Sequence, residues 1–375
     1  MKVTALFLFL WMPGWLAGGT ALWGDLPPGP FSVGFEVLQL PDATAGGKPL
    51  QVSVWYPAAA AGERLVTYST YFLLSTTELG NQPTATEQEK AVEAYKIELV
   101  SHGVPRSAID QWFDTPMAAT RNSRAAAGRF PLVIVAQGNS QSAHDQAILC
   151  EYIAGHGYFV VTSPSPARAN PIRVAGDMLP TARRQAAEMK LILAHWKKDP
   201  GVDTARVGVV AHSFGARAAL LLAADKSEVK ALISLDGGIA NKMGKEWIDQ
   251  ATDFHREKFT ASLLHLYEDI ESYMLPDFDL LKTLRRSDRY VIKVQNLHHY
   301  QFASFGMASA VIPRLSENQA AIKRKCEAIF RYTVQFLNAS VKGDPAARKF
   351  LEATPAANGF SDQDLTSLQV WKAEP

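Results

Sequence analysis

Cysteine is nearly missing from this chain: Cys150 and Cys326 are the only two in 375 residues. That excludes a disulfide framework, and their separation matches no metal-ligand spacing to each other or to histidine. Both are expected to be buried thiols. Cys150 falls on the helix after the third strand and Cys326 on the last long helix, so a bridge between them is the lesser expectation. An excess of one charge is also missing, with Lys plus Arg at 38 and Asp plus Glu at 37. Without a positive field there is nothing to draw in a phosphate backbone, and nucleic acid is not an expected partner. No internal repeat or low-complexity tract interrupts the chain, and 47% hydrophobic residues are enough for a large globular core.

Apolar runs long enough to span a bilayer are lacking beyond the first 24 residues. Those residues, MKVTALFLFLWMPGWLAGGTALWG, place Lys2 ahead of an apolar stretch and then small residues. The pattern predicts a signal peptide over 1–21, cleaved after Ala21, and a secreted or periplasmic protein. Because no charge occurs from Val3 to Gly24, an uncleaved anchor is the competing reading. Pro13 and the Gly18-Gly19 pair favour cleavage.

The stretches FSVGFEVLQL (31–40) and LQVSVWY (50–56) read as an opening β-hairpin turning over 42–48. A polar, helical stretch over 68–128 follows, and within it Ala91, Tyr95 and Leu99 fall on one helical face. This segment is expected to be an insertion packed on the main domain. From Pro131 onward, apolar β-branched runs alternate with helical patterns, which predicts a parallel sheet covered on both faces. The stretch 237–260 reads as helical, SLLHLY and YVIKVQ as strands, and 268–289 as a lid or a surface helix. On the last long helix, Ile322, Cys326, Ile329, Phe330 and Val334 share one face. One α/β domain over 29–338 is therefore expected, with insertions at 68–128 and 237–289, and a tail at 339–375 with little pattern.

The pentapeptide Ala211-His212-Ser213-Phe214-Gly215 lies between the strand RVGVVAH and the helix ARAALLLAA, which is the setting of a nucleophile elbow. So tight a turn needs small residues two before and two after the serine, and Ala211 and Gly215 provide them. A serine hydroxyl is a poor nucleophile until a base takes its proton. Of nine histidines, His298 and His299 follow the last strand, where such a base is delivered. His212 is assigned packing support. The acid that orients the base is either Asp236, ending LISLD, or the Glu268-Asp269 pair, ending LLHLYED. The oxyanion donors are expected to be the backbone N–H of Phe214 and that of Asn139, in the loop Gln137-Gly138-Asn139.

From about Gly29 to Leu337 the chain resembles the plasma-type platelet-activating factor acetylhydrolases and their bacterial dienelactone-hydrolase-like relatives, in the α/β-hydrolase superfamily. RFPLVIVAQGNS is similar to that family's oxyanion strand and loop, AHSFGA to its GHSFGG elbow, and LISLDGG to its acid strand. LHHYQFASFG matches its His-x-x-Phe-x-x-Phe pattern with His299, Phe302 and Phe305. The resemblance thus implies His299 as base and Asp236 as acid, with an α/β-hydrolase fold: a mostly parallel sheet, helices on both faces, and an antiparallel hairpin first. The departures are Ala211, Gln137 and the 68–128 segment, and they bear on substrate choice.

Together these readings predict a serine ester hydrolase acting through an acyl-enzyme on short-chain acyl or phospholipid-like esters. No cofactor or metal is implied. The expected partner is a small-molecule ester or lipid, with transient contact to lipid surfaces. Lactone or polyester hydrolysis is the alternative within the class. A non-catalytic ligand-binding homologue is the alternative outside it.

Overall fold

The structure is a computed structural model, and it describes residues 19–42, 48–60, 62, 65–169, 171–172 and 174–374. The leader to Gly18 and most of the turn at 42–48 lie outside the described residues. Leu22 and Trp23, just past the expected cleavage point, are buried, and the Trp23 indole N–H donates to the Ile148 carbonyl at 3.3 Å. A chain beginning at Leu22 thus enters the core at once.

Strands β1 (Ser32–Leu40) and β2 (Leu50–Ala58) pair antiparallel, as the alternation predicts. The segment after them forms β3 (Leu65–Thr67), α1 (Tyr68–Leu74), α2 (Ala85–Ser101), α3 (Arg106–Asp114) and β4 (Pro116–Arg121). A capping box between Thr84 and Glu87 fixes where α2 starts. The segment is more than an appendage, because β4 rejoins the sheet parallel to β1. Buried Glu151 ties it down by accepting from the Ala118 and Ala119 N–H groups and from the Tyr71 hydroxyl.

The alternating half runs β5 (Phe130–Ala136), α4 (Ala147–Gly155), β6 (Phe159–Thr162), α5 (Met178–Trp196), β7 (Val202–His212), α6 (Gly215–Asp225) and β8 (Val229–Leu235). It continues through α7 (Lys242–Ile248), β9 (Ser262–Tyr267), α8 (Asp279–Thr283), β10 (Arg289–Val294), α9 (Ser304–Val311), α10 (Gln319–Leu337), α11 (Pro345–Glu352) and β11 (Leu365–Trp371). The strands form one sheet in the order β11-β10-β9-β8-β7-β5-β6-β2-β1-β4-β3. From β6 to β10 every pairing is parallel. Each of these strands is covered on both faces, which is why they read as unbroken apolar runs. Along β5, Val133 and Val135 enter one hydrophobic cluster while Leu132, Ile134 and Ala136 enter the other.

Two local expectations change. The stretch 237–260 is mostly loop and holds only α7 and a single turn at Arg256–Lys258. The Gly238 N–H is drawn back to the Ser213 carbonyl at 2.9 Å, so a helix cannot begin until that loop has passed the elbow. The weakly patterned tail is ordered: Asp344 and Pro345 start α11, and β11 pairs antiparallel with β10. Its strand signal comes from the open edge of β10 rather than from its own sequence. Cys150 and Cys326 sit in the same hydrophobic cluster on α4 and α10, yet both are free thiols. Among the described residues, no helix is long and apolar enough to cross a membrane.

Candidate active site

Ser213 lies in the turn between β7 and α6 with φ of +52°, a left-handed conformation that a serine adopts only under constraint. Its neighbours impose that constraint. A Cβ on Gly215 would lie 2.3 Å from the Ala136 carbonyl oxygen, so only glycine lets the helix start this close to β5. The Ser213 N–H is held by the Leu235 carbonyl at 3.1 Å. The side chain is thereby lifted off the carboxyl edge of the sheet, where open α/β sheets place their ligands.

His299 opens a short helical turn in the loop after β10. Its Nε2 stands 2.8 Å from Ser213 Oγ, and its Nδ1 stands 2.5 Å from Asp236 Oδ2. Asp236, at the end of β8, is also left-handed, with φ of +43°. It is only 1% exposed and accepts from the Glu268 N–H at 3.3 Å. Burial pushes the Asp236 carboxyl up from its ordinary value, against the pull of its hydrogen bond with His299. Three residues drawn from three loops thus form one continuous chain of contacts.

The other candidates are placed elsewhere. His298 is turned outward to Glu271, with Nδ1 2.9 Å from Oε1. Asp269 forms an ion pair with Lys293 at 2.5 Å. The Glu268 carboxyl folds back on its own loop, taking the Ile270 and Glu271 N–H groups. Burial, followed by a hydrogen bond with Glu271, raises the Glu268 pKa. Glu271 would rise on burial too, but its bonds with Glu268 and His298 outweigh that and bring it down. The lowered Glu271 carboxyl also adds to the upward push on Asp236.

Phe214 precedes the first turn of α6, where backbone N–H groups have no intrahelical partner. Asn139 lines the same cavity as Ser213 and His299. Its side chain clamps Ile172 in both directions, donating to the carbonyl at 3.3 Å and accepting from the N–H at 3.1 Å. A Cβ on Gly138 would lie 3.0 Å from Ser213 Cβ, so glycine lets this loop approach the serine. The Gly138 N–H donates to Gln141 Oε1 at 2.6 Å. Phe214, next to Ser213 in the chain, and Asn139, on the wall of the same cavity, are thus brought to one site.

His212 gives the packing support expected of it, and the structure adds polar contacts that pattern reading missed. The ring is buried, stacks on His299 with centroids 4.8 Å apart, and puts Nδ1 2.9 Å from Gln141 Oε1 and Nε2 3.2 Å from the His299 carbonyl oxygen. Burial first, and then the neighbouring His299, push its pKa down to about 3, so it stays neutral. It bridges the loop after β5 to the loop after β10. Its place next to the serine was the available signal, but a contact between distant loops leaves no periodicity to read. Tyr273, from the 268–289 stretch, stands edge-on to His299 at 5.7 Å and is largely exposed.

The Dienelactone hydrolase family model matches residues 117–255, from β4 to beyond α7, a span holding the elbow and Asp236 but not His299. A ferulic acid esterase from Streptomyces cinnamoneus superposes with a TM-score of 0.61 at 19% identity, covering 91% of this chain and 98% of that one. The chain has the α/β-hydrolase fold. No curated protein matches it by sequence.

Proposed function

We propose that the protein hydrolyses carboxylic esters through an acyl-enzyme on Ser213. The observation that carries this reading is the contact chain from Ser213 to His299 to Asp236, at 2.8 and 2.5 Å, on a cavity wall. Ser213 Oγ attacks the ester carbonyl carbon while His299 Nε2 takes its proton, and Asp236 holds the Nδ1–H and the resulting imidazolium. The carbonyl oxygen becomes an oxyanion facing the Phe214 and Asn139 N–H groups. As the intermediate collapses, the C–O bond to the alcohol breaks and His299 returns the proton to the leaving oxygen. Water then repeats the sequence on the acyl-serine and releases the acid.

The Dienelactone hydrolase family match and the esterase neighbour support a hydrolase acting on esters. Short-chain acyl and phospholipid-like esters belong to the proposed range, with contact to lipid surfaces. The leader supports action outside the cytoplasm. A purely ligand-binding role would not require three side chains from separate loops to meet at hydrogen-bond distance.

Ser213→Ala is expected to abolish both p-nitrophenyl acetate turnover and labelling by an organophosphonate probe. Retention of both activities by the folded variant would overturn the proposal. N-terminal sequencing of protein recovered outside the cytoplasm tests the location, with Leu22 as the expected first residue.

A further inference from the structure

The cavity at Ser213 has a volume of about 680 Å³, which is far more than an acetyl group needs and is typical of sites for drug-sized ligands. Much of one wall comes from the 68–128 segment, through Tyr95 and Leu99 on α2 and Val104 just after it. Phe305 and Tyr300, from the loop that carries His299, form an apolar wall with them. No residue of α2 is fully buried. Only its Val92, Tyr95 and Leu99 side is half-covered, with the Tyr95 ring against Phe72 at 4.7 Å. An exposed helix whose one protected face borders the cavity is placed to shape whatever enters it.

Among the described residues that line it, the cavity holds one carboxylate and no permanently cationic side chain. That carboxylate is Asp145, and the remaining titratable groups are the histidines His102, His212 and His299 and the tyrosines Tyr95 and Tyr300. Asp145 is fixed in place, because Oδ2 accepts from the Ser142 N–H at 2.8 Å, and among the described residues no cation pairs with it. A half-buried, unpaired carboxylate repels a second negative charge and accepts a hydrogen bond from a neutral donor.

We infer that α2 and Asp145 together set substrate choice. They admit esters with a bulky apolar limb that is uncharged or ends in a hydrogen-bond donor, and they turn away esters whose limb ends in an anion. This rests on the ester-hydrolase reading of Ser213 and gives the 68–128 segment its role. It also separates this site from one suited to lactones that carry a carboxylate.

Three methyl esters test it: 3-phenylpropanoate, its 4-hydroxy derivative and its 4-carboxylate derivative, with methyl acetate as the small reference. Wild type is expected to show kcat/KM at least about 10-fold lower for the carboxylate than for the 4-hydroxy ester. Asp145→Asn, whose amide oxygen can still cap Ser142, is expected to bring the two within about 3-fold. Leu99→Trp is expected to lower the phenylpropanoate-to-acetate ratio about 10-fold by filling the cavity. If wild type turns over the neutral esters but neither ratio moves in the variants, or if it prefers the carboxylate, the inference fails while the esterase reading stands. If wild type hydrolyses no ester at all, both fall.

Discussion

His212→Phe is the most informative single change outside the triad. Phenylalanine keeps a flat ring on His299 and fills the same buried space, but it removes both ring nitrogens from between Gln141 Oε1 and the His299 carbonyl. Neutral His212 has one N–H to give, so one hydrogen bond is lost, worth about 1 kcal/mol net. The stranded buried acceptor raises the total to about 1–3 kcal/mol. Urea unfolding should register that loss. Activity should suffer more specifically, because the loop holding Gly138 and Asn139 and the loop holding His299 lose their common strut. A drop in kcat of about 10-fold with KM nearly unchanged is expected, equivalent to about 1.4 kcal/mol of transition-state stabilisation. Two rescues separate the contacts. His212→Asn restores a donor toward Gln141, and His212→Gln restores one toward the His299 carbonyl. Should the Phe variant keep kcat within 2-fold of wild type and lose no stability, the bridging role is refuted.

Asp236→Asn is expected to lower kcat by about three to four orders of magnitude, since the base loses the partner that fixes its tautomer. Asp269→Asn should leave p-nitrophenyl acetate turnover within about 2-fold, its carboxylate being spent on Lys293; equal losses in the two variants would reassign the acid. Burial pushes the Glu151 carboxyl up to about 7, so between pH 4.5 and 7 the folded state holds more protons than the unfolded one. Its contribution is therefore full below pH 4.5 and fades as pH rises through 7, by about 3 kcal/mol at most. Glu151→Gln should remove that part of the slope in pH-dependent urea titrations, and an unchanged slope would exclude Glu151 as its source. Removing residues 343–375 strips β11 from β10 and the Asp364 carboxylate from Arg324. The truncated chain should aggregate through the bared edge, as size-exclusion chromatography would show; a stable, active monomer would contradict this.

The parallel half of the fold was legible because each strand there is buried on both faces and each helix on one, so the sequence repeats the architecture locally. Ser213 and Phe214 could be read for the same reason, since the elbow is a continuous stretch of chain. Asp236 and Asp269 could not be separated by spacing, because both follow parallel strands. Only tertiary geometry turns one to His299 and the other to Lys293. His298 and His299 are likewise adjacent in sequence, and the local turn aims one at Glu271 and the other at Ser213. The role of Asp145 was invisible because it depends on what fails to surround it. The β11 strand was missed because its partner, rather than its composition, makes it a strand.

The position of β11 also sets a timetable for the molecule. About 70 residues separate the end of β10 from the start of the strand that covers its edge. At about 5–20 residues per second, synthesis leaves β10 uncovered for roughly 4–14 s after it emerges. Gln295, which opens the loop leading to His299, donates its N–H to the Asp364 carbonyl and its side-chain amide to the Thr366 hydroxyl, so that anchor is missing until residues 364–366 are made. Ser213 and Asp236 can be in place well before that moment. Assembly of the triad then comes late, and a chain interrupted before Leu365 would carry the nucleophile without a firmly held base.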